Sequence, residues 1–174
     1  MNSTRKKPKF LAASHLGSLG RQLRFAGFDC CIEEESTKPN STYPLLEEGR
    51  YFLTRSRRPF PEKLEKQTLR LQNTNLEEQM LEIALNVELR ETFVPFSRCT
   101  LCNIPLKRIS SDEAKNHIPD RIFHTYRDFR QCPNCRRIYW RGDHFNRMLK
   151  RWKKIFEEIS REKESPLDFS EKAR

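Results

Sequence analysis

Glycine is scarce in this chain, at five of 174 residues. No cluster of them forms the Gly-rich loop that cradles a nucleotide's phosphates, which excludes most nucleotide-binding folds of that type. No apolar run approaches the roughly 20 residues of a membrane-spanning helix. The opening Met1-Asn-Ser-Thr-Arg-Lys-Lys7 is not followed by a signal-peptide core. Hydrophobic residues make up 36% of the chain, and the mean hydropathy of −0.86 is low for a plain globular enzyme. Polar tails over residues 1–8 and 163–174 account for part of this and read as flexible. The remainder can bury one core plus a small satellite. Cys30 and Cys31 sit in an apolar stretch and read as small buried residues without a partner. Reduced thiols and the lack of an export signal give the cytoplasm as the expected compartment.

What the chain does have is two cysteine pairs, Cys99-Thr-Leu-Cys102 and Cys132-Pro-Asn-Cys135. Two residues between the members of a pair let both sulfurs turn onto one ion. Two such knuckles supply the four thiolates of a closed tetrahedral zinc site, one ion per chain. The spacer of 29 residues suits two hairpins facing each other across the metal. Pro133-Asn134 is the turn chemistry a knuckle requires. Two disulfides or four free thiols are the alternative. Four protein ligands leave no open position, so the metal is expected to hold structure and to do no chemistry. His117 and His124 lie in the spacer, but four cysteines already close the shell.

Positive charge is unevenly spread. Residues 1–95 carry 15 basic and 13 acidic side chains, and residues 96–174 carry 19 and 11. Between Arg121 and Lys154 the balance is 11 to 2, an electrostatic footprint for a polyanion that crowds around the knuckles and the helix after them. Its bland alternative is a solvated basic surface.

Strands and helices alternate in the first half. Lys9–Ala13, Phe28–Glu33, Arg50–Arg55 and Thr68–Leu71 read as strands. Ser14 is placed to cap a helix with Leu16, Leu19 and Leu23 on one stripe, ended by Gly27. Asn75 with Glu78 makes a capping pair for a helix carrying Met80, Ile83, Ala84 and Val87. The class is therefore α/β, a small parallel sheet with flanking helices over residues 9–95. A zinc ribbon follows over 96–142, with a short strand at Arg137–Trp140. A basic amphipathic helix then spans 143–162. Asp143 caps it, and Phe145, Met148, Leu149, Trp152, Ile155, Phe156 and Ile159 recur at helical spacing.

These motifs resemble one family, the C-terminal RNase domain of the Mut-seven group, a PIN-like nuclease fold with a zinc ribbon. The resemblance rests on Phe10-Leu-Ala-Ala-Ser-His-Leu-Gly17, Leu23-Arg-Phe-Ala-Gly-Phe-Asp29, Phe52-Leu-Thr-Arg55 and Glu77-Glu-Gln79. It continues through Arg98-Cys-Thr-Leu-Cys-Asn103 and Cys132-Pro-Asn-Cys-Arg-Arg-Ile-Tyr-Trp-Arg-Gly142. It implies a nuclease in which carboxylates at the C-terminal edge of the sheet hold divalent cations that activate water. This chain departs from that pattern at every such position. Ala13 ends the first strand, Ser56 follows the third, and Asn75 (or Asn73) precedes the Glu-Glu-Gln helix. The second helix start, Pro39-Asn-Ser-Thr-Tyr43, has no acid at all.

Three readings follow. In the first, the chain is a catalytically inactive PIN-like protein with no catalytic residues, and it binds RNA. Arg136, Arg137, Arg141, Arg147, Lys150, Arg151 and Lys154 take phosphates, Tyr139 and Trp140 stack on bases, and a structured RNA such as ribosomal RNA is a candidate target. In the second it is a metal-dependent ribonuclease using Glu33, Glu34 and Glu35, or Glu47 and Glu48, as substitute ligands. In the third the Phe145–Ile159 stripe docks a protein partner. No reading involves a membrane.

Overall fold

The computed structural model describes residues 6–33, 48–59 and 62–164. Four strands, β1 (Lys9–Ala12), β2 (Asp29–Ile32), β3 (Tyr51–Thr54) and β4 (Thr68–Arg70), form an all-parallel sheet in the order β2-β1-β3-β4. Phe10 faces Cys30 on one side and Tyr51 on the other, and Leu53 faces Leu69. Side chains alternate across the sheet. Phe10, Ala12 and Leu53 enter the main core, while Leu11, Ala13 and Phe52 form a smaller cluster on the opposite face with Leu64. Leu64 comes from α2 (Glu62–Glu65).

Helix α1 (Gly17–Phe25) fills the crossover from β1 to β2 and buries Leu19 and Leu23 completely. Ser14 does not cap it. The chain enters through a 3-10 turn at Ser14–Leu16, closed by the Leu16 amide on the Ala13 carbonyl at 2.8 Å, with no side-chain cap. The other end follows the expectation. Gly27 adopts φ +91°, the Gly27 amide donates to Arg24 O at 3.0 Å, and the Phe28 amide donates to Leu23 O at 2.9 Å. These two bonds make a Schellman motif. A Cβ at Gly27 would lie 2.3 Å from the Val94 carbonyl oxygen, so the position needs glycine twice over. Helix α3 (Leu76–Asn86) is capped by Asn75, whose side chain accepts from the Glu77 and Glu78 amides.

Beyond Pro95 a second sheet is antiparallel, with β5 (Lys107–Ile109), β6 (Phe129–Gln131) and β7 (Ile138–Tyr139) in the order β5-β6-β7. Two short helices occupy the spacer where plain hairpins were expected, α4 (Ser111–Lys115) and α5 (Asp120–Thr125). Ser110 and Glu113 form a complete capping box at α4. Ala114, Phe129 and Ile138 make a satellite core here.

The last helix, α6 (Asp143–Glu164), begins one residue earlier than a cap at Asp143 would allow. Asn146 N donates to Gly142 O at 3.0 Å, so Gly142 takes the cap position and Asp143 stands in the first turn. Its apolar stripe is core. Phe145, Met148, Trp152, Ile155 and Phe156 are buried in the same cluster as Phe10, Leu23 and Met80. Trp152 lies 5.8 Å from Phe93 and 5.7 Å from Phe156, ring to ring. Burying one such side chain is worth about 1.5–3 kcal/mol, so the stripe is committed to the fold and is not free to dock a protein. The third reading of the sequence is corrected on that ground.

Candidate functional site

Each cysteine pair sits on a knuckle, and the two knuckles are built alike. In the first, Asn103 N donates to Cys99 O at 3.0 Å and Cys99 N to Ile104 O at 2.8 Å. In the second, Arg136 N donates to Cys132 O at 3.0 Å and Cys132 N to Arg137 O at 3.0 Å. The residue after each second cysteine is left-handed, Asn103 at φ 60° and Arg136 at φ 61°. The four sulfurs lie within 4.8 Å of one another, and Cys99 and Cys135 are 3.8 Å apart. None of the six cysteines is in a disulfide, which removes that alternative.

Hydrogen bonds prepare the sulfurs for a cation. Burial opposes ionisation of Cys99, yet the Tyr139 hydroxyl at 3.0 Å and the Cys102 and Leu101 amides hold its thiol down to about 7. At Cys135 the Arg137 amide favours the thiolate, but burial and the neighbouring Cys102, Cys132 and Cys99 sulfurs push the thiol up to about 12. Four sulfurs this close cannot all carry charge unless a cation neutralises them. The donor set and its spacing therefore fit a four-thiolate metal centre.

The α/β half grips the first knuckle directly. Arg24 is buried, and its guanidinium donates to Cys30 O at 2.8 Å, Thr100 O at 3.1 Å and Leu101 O at 2.5 Å. Asn103 donates to Asp29 at 2.7 Å and accepts from Cys30 N at 3.0 Å. Asp29 in turn holds Arg50 through both oxygens, at 2.8 and 3.1 Å. None of these residues was singled out from the sequence for this role. The one usable signal was an Asn directly after the second cysteine, a residue type that tolerates left-handed backbone.

The basic residues fall into two groups. Arg136, Arg137, Arg147 and Lys150 are exposed and make no ion pair among the described residues. The others are engaged. Arg141 meets Asp128 at 3.3 Å and lies over the Phe96 and Phe145 rings. Arg151 and Lys154 both meet Glu77, at 3.0 and 3.6 Å. Tyr139 and Trp140 are half-buried, and the Tyr139 hydroxyl is spent on Cys99 and on Thr100 at 3.4 Å.

At the C-terminal edge of the parallel sheet, the positions where the resemblance calls for acids have structural tasks. Ala13 is buried, and Ser56 Oγ accepts from Arg58 N at 3.3 Å. Asn75 caps α3, while Asn73 is bound through its amide and its side chain to Glu82. Glu82 also accepts from Gln72 N at 2.9 Å. His15 Nε2 accepts from Arg55 N at 3.3 Å. Among the described residues the four cysteines are the only group of three or more His, Cys, Asp or Glu side chains placed to hold a metal. Glu34, Glu35, Glu47 and Pro39–Tyr43 lie outside the described residues. His117 and His124 are exposed and are not brought to the sulfurs. No helix among the described residues is long and apolar enough to cross a membrane.

The profile of one family, described as Mut7-C RNAse domain, matches residues 8–152. No curated protein and no solved structure matches the chain.

Proposed function

The chain belongs to the Mut7-C RNAse domain family, and from that premise we propose that it binds RNA without cleaving it. Cys99, Cys102, Cys132 and Cys135 hold one zinc ion. Tetrahedral zinc with bonds of about 2.3 Å sets its sulfurs roughly 3.8 Å apart, which matches the 3.8 Å between Cys99 and Cys135. When bound, the zinc supplies a closed structural centre that joins the two knuckles, and buried Arg24 offsets part of the negative charge of four thiolates.

One observation carries the reading. Cationic side chains without partners gather on the ribbon and the exposed side of α6, whereas Ala13, Ser56, Asn73 and Asn75 put no carboxylate at the sheet edge. Magnesium and manganese need convergent hard oxygen ligands, which these side chains do not provide. Phosphates need only accessible cations, which Arg136, Arg137, Arg147 and Lys150 do provide. Such contacts are indifferent to sequence, so a structured and abundant RNA such as ribosomal RNA is a suitable target, met in the cytoplasm.

Two measurements on the zinc-loaded chain test this. Binding to RNA should weaken steeply as salt rises, and labelled RNA should remain intact with magnesium or manganese. Cleavage abolished by Glu33→Gln or Glu48→Gln would instead make the chain a ribonuclease with rearranged acids.

A further inference from the structure

We propose that the cavity between the ribbon and the start of α6 receives one unstacked base of single-stranded RNA, an inference that rests on the RNA-binding function above. The cavity holds about 470 Å³, inside the range of small-ligand pockets. Its walls are aromatic, from Phe25 and Phe96 of the junction, Tyr126, Tyr139 and Trp140 of the ribbon, and Phe145 of α6. Of these lining rings, Phe25, Phe96 and Phe145 are buried, while Tyr126, Tyr139 and Trp140 are half-exposed. Base-on-aromatic stacking suits such a wall, because every base has a π-face.

The rim decides what class of molecule enters. Arg137 lines it, exposed and without an ion pair among the described residues, and Arg136 is its chain neighbour. Arg98 also lines it but is already bound to the Asn103 carbonyl. His144 and Asp143 complete the polar edge, and Asp143 is the one carboxylate there. A neutral apolar ligand would gain nothing from free arginine at the mouth. A nucleotide uses both parts, its base on the aromatic walls and its flanking phosphates on Arg137 and Arg136.

Tyr126 and Trp140 are packed against the satellite core of Ala114, Phe129 and Ile138. A Cβ on Gly142 would lie 2.7 Å from Trp140 Nε1 and 3.4 Å from the Tyr126 hydroxyl oxygen. Glycine at the cap of α6 lets the indole lie this close to the backbone.

The test compares two probes on the unaltered, zinc-loaded chain. One is a single-stranded RNA of eight uridines, and the other an oligomer of equal length and charge whose riboses are abasic. Trp152 is fully buried, so a change in tryptophan emission on binding reports Trp140. The uridine RNA should bind about tenfold tighter at matched salt and quench that emission, while the abasic oligomer binds without quenching. Trp140→Ala should bring the two affinities together. Trp140 packs on the satellite core and this variant could fail to fold, but the two-probe comparison needs no variant. Equal affinities without quenching would overturn the base pocket and leave the phosphate-binding function standing. Failure of both probes to bind at low salt would overturn the function itself.

Discussion

Asn103 Nδ2 donates to Asp29 Oδ1 at 2.7 Å, and Asn103 Oδ1 accepts from the Cys30 amide at 3.0 Å. One side chain thus ties the first cysteine knuckle to the edge strand β2, from a residue whose backbone is left-handed at φ 60°. Asn103→Ala removes both bonds and places an alanine in a conformation that costs it about 1–2 kcal/mol. Each partly buried bond adds roughly 0.5–1.5 kcal/mol, for a total loss near 3. Asn103→Gly loses the same bonds but not the backbone term and should cost about half as much. Urea unfolding of the two variants would separate the contributions. Equal losses would mean that the backbone conformation carries no cost here.

Acid should loosen the same junction. Burial alone would raise the Asp29 carboxyl, but hydrogen bonds from Arg50 and Asn103, with the Arg50 and Arg98 charges, hold it below the usual carboxylate value. A lowered native pKa stabilises the fold fully above the unfolded value, near 4 for Asp, and the contribution fades as pH falls through the native one. Asp29→Asn should therefore be less stable than the parent at neutral pH, with a flatter decline below about pH 4. Urea midpoints across pH give the comparison. Parallel curves for parent and variant would show that Asp29 does not carry this dependence.

Removing the metal should be felt beyond the ribbon. None of the ligand cysteines belongs to the main core, which predicts that the α/β half outlives the loss. Arg24 of α1 nevertheless bonds both Cys30 O in β2 and Thr100 O in the knuckle, and Asn103 of the knuckle bonds Asp29 and the Cys30 amide of β2. Fresh, reduced protein should contain one equivalent of zinc, and chelation or Cys102→Ser should unfold the ribbon because structural zinc contributes folding free energy. Hydrogen exchange should then quicken at Cys30–Ile32, while Leu53 in the sheet interior stays protected. Unchanged exchange at β2 would mean that the junction does not transmit the loss.

The parallel sheet was legible because its strands are apolar runs separated by helix stripes, and the knuckles because two Cys-x-x-Cys pairs admit few readings. Gly27 and Asn75 announced a helix end and a helix start through residue types whose backbone needs are narrow. The Ser14 cap failed because a serine beside buried Ala13 can be bypassed by a backbone turn. The spacer helices were missed although Ser110-x-x-Glu113 carried a capping box, since five- and six-residue helices leave too little periodicity to see. The Arg24, Asp29, Arg50 and Asn103 network joins residues up to 77 positions apart, and no local pattern encodes such a meeting. Charge count marked the basic surface, but which cations are neutralised was hidden until Asp128 and Glu77 found their partners.

Cleavage should be absent for a reason that can be reversed in part. Ala13→Asp with Ser56→Asp would restore two carboxylates at the sheet edge, and divalent-cation binding measured by calorimetry should rise from none to weak. Ala13 is buried, so an aspartate there without a cation costs stability, and the double variant should gain thermal stability on adding manganese. Full nuclease activity is not expected, because Glu82 and the asparagines around it are already bound to one another. Manganese-dependent RNA cleavage by the parent chain would contradict this account.

Arg136 offers a way to remove charge without harming the fold. Its φ of 61° is a left-handed conformation that an arginine adopts at a cost of roughly 1–2 kcal/mol and a glycine adopts freely. The knuckle bond it makes is from its backbone amide to Cys132 O, which glycine keeps. Its exposed side chain makes no ion pair among the described residues, so truncation leaves no carboxylate stranded. Arg136→Gly should therefore unfold at the same or a higher urea concentration than the parent. If Arg136 contacts a phosphate, each contact on single-stranded RNA contributes about 0.7 to the slope of log affinity against log salt, and the variant's slope should fall by that amount. Arg151→Gln makes the contrast, because Arg151 already serves Glu77 and should change the slope less. A glycine variant that keeps its stability and the parent's full salt slope would take Arg136 out of the RNA surface.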